Sequence, residues 1–387
     1  MREHWETMPF DREVANLLRS VLQRPAKGSL FSDIVARVTN WEEAIESARF
    51  HGILPMLYSR LEADTIAVPA GAMALAKREV ERNTFHCMAN AAELLEILRL
   101  FDRVSIPAMP FKGVVLASAA YGDIAKRPAG DLDLLIYRRD LNRATSILQE
   151  RGYDLKTKVL ADGSPAEKDN FEFHFERELD GAVIELRWRL ELTQPRFRQD
   201  LGMEWVWPRR STAELVGAQV PNLDPVSTLL VLCMHGSKHG WTRMIWVCDV
   251  SKLLESQPQL DWDFAISEAK RVGLWRSLAL GVLLARRSSA AAVPAEVLQK
   301  LEGDRSARRL ADFLYERLPA EPGQMPGGLL PYNVQLLGFK DRLRMLLSPT
   351  FLRPNERDRA LVKLPRVLEP LYYVIRPFRL LKDRTGR

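Results

Sequence analysis

Two carboxylates one residue apart, Asp131 and Asp133, stand in the stretch FKGVVLASAAYGDIAKRPAGDLDLLIY, residues 111–137, where an apolar run begins. Side chains alternate across a strand, so a strand through DLDLLIY projects both acids from one face. Like charges that close raise one another's pKa unless a cation lies between them. A divalent metal keeps both ionised at neutral pH. Oxygen ligands from one or two carboxylates, with water and substrate phosphates in the remaining positions, are what magnesium prefers. A third carboxylate makes a two-metal site, in which ions about 3.5–4 Å apart clamp the attacking and leaving oxygens of an in-line displacement. Glu185, in VIELRW, is the candidate for that third acid, on a strand that can pair beside DLDLL. The plainer reading is a pair of acids that cap or flank a strand, and DxD alone does not choose between the two.

The chain around these acids reads as a small sheet with helices. SIPAMPFKG, interrupted by prolines and closed by Gly113, predicts a short or edge strand. VVLASAAY predicts a brief helix, DLDLLIY a strand, and RRDLNRATSILQERGY an amphipathic helix ending at Gly152. NFEFHFERELDGAVIELRWRLEL predicts an antiparallel hairpin. Its alternating residues flank Asp180-Gly181, the dipeptide of a two-residue turn with positive φ at its centre, with His174 on the first strand and Glu185 on the second. Apolar residues at three-to-four spacing predict helices before this region, in DREVANLLRSVLQ, WEEAIESARFHGILPMLYSRLEAD and AMALAKREVERNTFHCMANAAELLEILRLFDRV. From about residue 211 the pattern returns to helices, in DPVSTLLVLCMHGSKHG, MIWVCDVSKLLES, WDFAISEAKRVG and LWRSLALGVLLARR. A Pro/Gly-rich connector, LPAEPGQMPGGLLPYN, precedes basic C-terminal helices. The expected class is α+β: a core at 101–210 between an N-terminal helical lobe, 1–100, and a C-terminal helical lobe with a basic tail, 211–387.

With 387 residues, 47% of them apolar and 27% charged, the chain is long enough for two or three lobes and excludes fibrous or disordered classes. No apolar run reaches the roughly 18–20 residues that span a bilayer. MREHWETMPFDREV mixes both charge signs and has no apolar h-region, so it does not read as a secretory signal. Cys87, Cys233 and Cys248 are far apart without a CxxC spacing, which suits a reducing compartment. These features lead to the expectation of a cytoplasmic protein. The net charge is +6, but residues 340–387 carry 13 Lys and Arg against 5 Asp and Glu, a balance of +8 that leaves the rest at −2. Such a segment suits an acidic partner, an anionic membrane surface or a solvated helical face. Trp188, Trp205, Trp207, Trp241 and Trp246 are read as packing residues, because no RNA-binding signature accompanies them, and nucleic acid is not the expected partner.

The order of Lys112-Gly113, a short helix, Arg127-Pro128-x-Gly130-Asp131-x-Asp133-x-Leu135, and a hairpin ending in Ile184-Glu185-Leu186-x-Trp188 resembles the DNA polymerase β-like nucleotidyltransferase superfamily. More narrowly it is similar to an uncharacterised bacterial nucleotidyltransferase family with an LKG…R-P-x-G-D-x-D-L-L signature. LLVLCMHGSKHGWTRMIWVCDVSKLL, with His235, His239, Trp241, Trp246 and Asp249, fits that family, as does YYVIRPFRLL, so the resemblance covers most of the chain. It implies a polymerase β-like core with Asp131 and Asp133 as magnesium ligands and Glu185 as the third acid. Two Mg2+ ions are implied, with Mn2+ as the substitute. The implied reaction moves a nucleoside monophosphate from an NTP, ATP among them, to an acceptor hydroxyl and releases pyrophosphate. The superfamily usually places a serine after the glycine to hold a triphosphate oxygen. Here Val114 follows, and the phosphate contact is expected from Lys112, with Gly113 permitting close backbone approach. The family often has a histidine where this chain has Arg187, which points to a changed acceptor or phosphate contact.

Arg127, just before the acids, is expected to reach the triphosphate or the pyrophosphate leaving group, the plainer reading being a surface arginine beside Pro128. His235 and His239, four apart, share one helix face. With Asp249 they resemble a zincin set, but Gly236 stands where the general-base glutamate would be. Hydrogen bonding between histidine and aspartate that orients helices is the favoured reading. His174, Arg187, His235, His239 and Asp249 are the candidates for an acceptor pocket or the layer supporting it. YYVIRPFRLLKDRTGR has the composition of an interfacial helix, interrupted by Pro377, and docking on the protein's own body is the competing reading. Two other functions compete: a catalytically silent nucleotide- or partner-binding protein that keeps the fold, and an RNA-modifying transferase that binds RNA in a salt-dependent way through 340–387. The sequence does not choose the NTP, the oligomeric state, or an acceptor among small molecules and protein hydroxyls.

Overall fold

The computed structural model describes residues 11–23, 29–64, 66–160, 165, 171–190, 201–289, 291–319, 332, 336 and 371–373. The N-terminal helices are α1 (Arg12–Leu22), α2 (Ser29–Arg37), α3 (Trp41–Phe50), α4 (Leu54–Ala63) and the 34-residue α5 (Ala70–Arg103). Then come β1 (Ala108–Pro110), α6 (Gly113–Tyr121), β2 (Leu132–Ile136), α7 (Leu141–Glu150), β3 (Asp154–Leu155), β4 (Glu172–Arg177) and β5 (Ala182–Arg187). A short α8 (Met203–Val206) leads to β6 (Ser211–Leu215) and β7 (Ala218–Asn222). The last described helices are α9 (Pro225–Lys238), α10 (Met244–Ser256), α11 (Trp262–Val272), α12 (Trp275–Ser288), α13 (Ala295–Glu302) and α14 (Arg305–Arg317). Helix starts follow capping chemistry: Asp11, Asn40 and Asp224 each accept from free backbone N–H groups of the first turn, and Pro225 opens α9.

The main sheet has the order β1-β2-β5-β4-β3, with β2 and β5 parallel and the other pairs antiparallel. It is the small mixed sheet expected of an α+β core. Every residue of β2 is buried, as a central strand with both faces covered requires. Its alternation divides the molecule: Leu132, Leu134 and Ile136 join the apolar cluster shared with α7 and the second half of α5, whereas Leu135, on the face of Asp133, joins the large helical cluster.

The structure revises two readings of the sequence. Arg177 pairs with Ala182, so residues 178–181 form a four-residue loop instead of a two-residue turn. In that loop the N–H of Gly181, at φ +69, donates to Arg177 O at 2.9 Å, while Asp180 binds the Arg177 guanidinium. The region from 211 begins with the β6–β7 hairpin, not a helix. Its turn is Val216-Gly217, both at positive φ (+50 and +78), a conformation that a β-branched residue disfavours and that asparagine or glycine usually announces. Ala213, Leu215 and Val220 of this hairpin join the sheet's core, and Ser118 Oγ of α6 donates to Glu214 O at 2.6 Å. The helices before and after the sheet also pack on one another. A single apolar cluster runs from α1 to α14; Ile245 N–H donates to His51 O at 3.0 Å, and Arg19 Nη2 to Glu316 O at 2.9 Å.

Gly236 has a packing cause. A Cβ there would sit 2.5 Å from the indole of Trp241, which is 1% exposed, and one at Gly281 would meet Cys233 Sγ at 2.5 Å. Trp188, Trp205 and Trp241 are buried, as packing residues should be, and all three cysteines are buried free thiols. Among the described residues no helix is long and apolar enough to cross a membrane. Most of the Pro/Gly-rich connector and, apart from 371–373, the basic segment 340–387 lie outside the described residues.

Candidate active site

The parallel pairing of β2 with β5 sets Asp133 directly beside Glu185, so the two carboxylates share a face. Asp131 lies just before β2, and one oxygen of each of the three acids falls within 4.8 Å of the others. His174 pairs with Glu185 from the opposite side, across the antiparallel β4–β5 ladder, and shares the same face. The register of three strands thus brings together residues far apart in sequence.

Two cations stand among these acids. Lys112 closes the turn between β1 and α6, and its Nζ lies 2.9 Å from Asp133 Oδ2. Its backbone, at φ 60 and ψ −146, occupies a region that is essentially glycine's, at a cost of about 1–3 kcal/mol. The turn is tied down by Phe111 N–H, which donates to Asp133 O at 3.2 Å. Gly113 follows at φ +48, a backbone conformation that favours glycine, and α6 begins there beside the Asp131 carbonyl. Val114 is buried in the sheet's core, and its side chain offers no group to a phosphate. Arg187, two residues beyond Glu185 on the same face, contacts the Glu185 carboxylate, places Nη2 2.8 Å from Glu172 Oε2, and places Nε 3.4 Å from Asp133 Oδ1.

That last ion pair lacks hydrogen-bond geometry, and the buried Asp133 Oδ1 accepts no hydrogen bond. A buried acceptor without a donor is costly unless something else coordinates it. Four acids (Asp131, Asp133, Glu172, Glu185) face Lys112 and Arg187, with Lys238 also acting on Glu172, so the cluster carries surplus negative charge in a low-dielectric setting. The protonation preferences show the strain. Burial, then the neighbouring Asp133, pushes Asp131 up to about 6. Burial works in the same direction on Asp133, but Lys112 and Arg187 outweigh it and hold that carboxyl below its ordinary value. Glu172 is raised, by burial first and by Glu185 and Asp133 against the opposing Arg187. An all-oxygen donor set with an orphaned oxygen and excess negative charge fits a hard divalent cation.

Beside the acids, the end of α9 and the start of α10 form an aromatic and imidazole wall. His235 and His239 have ring centroids 4.7 Å apart, and each packs on Trp246, at 5.4 and 5.2 Å. Burial and the nearby Lys112 hold His235 well below its ordinary pKa. His239, although exposed as a residue, is pushed down to about 4 by desolvation of its ring and by Lys238 and Lys112. Both imidazoles are therefore neutral at pH 7.

The histidines do not meet Asp249. Its two oxygens bind Arg127 Nε at 2.7 Å and Nη2 at 2.9 Å, and Tyr121 Oη donates to it at 2.7 Å. The expected histidine–aspartate hydrogen bond is thus replaced by a buried arginine–aspartate–tyrosine set. Among the described residues the only acid or histidine group placed to hold an ion is Asp131, Asp133 and Glu185, and the zincin-like set of His235, His239 and Asp249 does not assemble. Arg127 also differs from expectation: its remaining nitrogen, Nη1, donates to Pro128 O at 3.3 Å, so the whole guanidinium is engaged inside the protein. The partner that captures it is 122 residues away, beyond any local pattern.

The loop that delivers Asp131 is also held from α5, where Asn83 Nδ2 donates to Ala125 O and Asn90 Nδ2 to Ala129 O, both at 2.9 Å. Sequence reasoning missed Glu172, Tyr121, Asn83, Asn90 and Lys238. Glu172 was visible as an alternating residue of NFEFHFE, but its pairing with Arg187 depends on register.

Carboxylates grouped in this way on a parallel strand pair, beside a lysine-glycine turn that opens a helix, are the arrangement that the resemblance to the nucleotidyltransferase class implies. Within that class the chain belongs to the family of uncharacterised nucleotidyltransferases, whose model matches residues 37–289, from the N-terminal helices to the end of α12. No curated protein matches the chain. Among solved structures it is similar to the solution structure of the antibiotic-resistance factor ANT(2'')-Ia, at 14% identity over 59% of this chain and 97% of that one. The TM-score of 0.29 is too low to carry residues from one to the other.

Proposed function

We propose that the protein transfers a nucleoside monophosphate from an NTP to an acceptor hydroxyl, with release of pyrophosphate. Asp131, Asp133 and Glu185 would hold two Mg2+ ions, or Mn2+ in their place. The observation that supports this most is the convergence of three carboxylates within 4.8 Å around a buried oxygen without a hydrogen bond, in a chain of this family. Bound there, the metal would neutralise phosphate charge and activate the attacking oxygen.

The protein's own groups divide the remaining work. Lys112 and the free N–H groups at the start of α6 face the triphosphate, a helix N-terminus being suited to anions. Arg127 serves the site by anchoring the loop that carries Asp131 to α10 through Asp249, not by touching phosphate. His174, Arg187, His235 and His239 line the acceptor side, where the neutral imidazoles of His235 and His239 accept hydrogen bonds from hydroxyl groups and Trp246 offers a face for stacking. A wall of this kind suits a small hydroxylated acceptor, with a protein hydroxyl as the other source of the same group.

A silent, binding-only reading has one observation in its favour: Lys112 and Arg187 already pair with the acids. Incubation with each α-labelled NTP, magnesium and a cell extract separates the two. Label transfer by the wild type and not by Asp131→Ala or Asp133→Ala supports the enzyme and reveals the acceptor's size. Nucleotide binding without any transfer supports the silent fold.

A further inference from the structure

We propose that Lys112 is an internal stand-in for the metal: its ammonium holds Asp133 in the ion-free protein and passes to the nucleotide's phosphates when metal and nucleotide arrive together. The inference rests on the metal-dependent reading above and adds an order of events to it.

The geometry carries it in three ways. The Lys112 ammonium is 2.9 Å from Asp133 Oδ2, with side-chain exposures of 11% and 2%, so this is a desolvated pair and not a surface contact. A lysine normally extends its ammonium into water. Here a backbone held at φ 60 and ψ −146 aims it inward, and strain of that kind persists only where the surroundings impose it. The two cations are also held unequally. Arg187 is shared among Asp133, Glu172 and Glu185, whereas the described ion pair of Lys112 is with Asp133 alone. Lys112 is therefore the cation with fewer anchors, and it sits next to Gly113, where α6 presents its N–H groups.

A divalent ion on Asp133 and an ammonium at the same carboxylate repel each other strongly at this depth. Metal alone would have to part Lys112 from the carboxylate that holds it. Metal with nucleotide brings the phosphate oxygens that receive it. Each ligand then raises the affinity for the other, and the coupling is reciprocal.

The test is Mn2+ binding, read from the signal of the free ion by electron paramagnetic resonance, with and without the α,β-methylene analogues of the NTPs. Wild type, Lys112→Met and Asp133→Asn are compared. Lys112→Met should bind Mn2+ alone about tenfold more tightly than wild type, and the Mn2+–analogue complex about tenfold more weakly. Mn2+ should also raise the Tm of Lys112→Met more than that of wild type. Unchanged or weaker binding of Mn2+ alone by Lys112→Met overturns the stand-in. If Asp133→Asn binds Mn2+ as well as wild type does, the metal site itself is wrong. Lys112→Gly, which relieves the backbone strain, serves the same comparison if the methionine variant folds poorly.

Discussion

Asp249 and Asp133 are both buried acids that face arginine, yet Asp249 has both oxygens bonded to Arg127 and one also to Tyr121, while Asp133 keeps Oδ1 without a hydrogen bond. The first set is balanced: one acid, one guanidinium in bidentate contact and one hydroxyl. The second has four acids against three cations, Lys112, Arg187 and Lys238. A balanced buried pair fixes geometry, because removing either partner strands a charge in low dielectric. An unbalanced one keeps affinity for a further cation. The two lie on either side of one loop, Arg127 at its base and Asp131 at its end, so the closed pair positions the open one.

The sharpest way to break this contrast is Arg127→Met, which strands Asp249. It should destabilise the protein by about 3–5 kcal/mol in chemical denaturation, whatever the metal concentration. Asp131→Asn should behave in the opposite sense. In the folded protein Asp131 holds its proton up to about pH 6, whereas in the unfolded chain it releases it near its ordinary value of 3.8. The folded state thus binds more protons between these limits, and the metal-free wild type should lose stability as pH rises from about 4 through 6. After allowance for its partial exposure, Asp131→Asn should recover about 1–2 kcal/mol at pH 7 while abolishing turnover. A pH series of denaturation curves with and without Mn2+ reads both effects. The smallest expected change is Tyr121→Phe, which removes one of three bonds to Asp249 and should cost about 1 kcal/mol with little change in turnover.

Much of the site was legible because its signals are local. Period-two alternation marked β2, β4 and β5, and Asp131, Asp133 and Glu185 followed from strand geometry and family resemblance together. What escaped was either long-range or locally disguised. The partner of Arg127 is 122 residues away on another helix, and nothing near RPAGD announces it. The β6–β7 hairpin was hidden because Val216 takes the positive φ where a glycine or asparagine would have been the cue. The Asp180-Gly181 dipeptide pointed to the right place for a turn but the wrong length, since Arg177 draws Asp180 into a four-residue loop. The contact between the N- and C-terminal helices depends on packing such as Gly52 against Ile245, where a Cβ would lie 3.0 Å away, and no spacing rule reports that.

The central claim is that this unbalanced acid cluster transfers the α-phosphoryl group together with its nucleoside. The most direct measurement runs α-labelled and γ-labelled NTP side by side with wild type and Asp133→Asn, in magnesium and a cell extract, following label in the acceptor. The account predicts transfer of the α label and none of the γ label, with a loss on the order of a thousandfold in Asp133→Asn. Transfer of the γ label, or α transfer undiminished in Asp133→Asn, would contradict it.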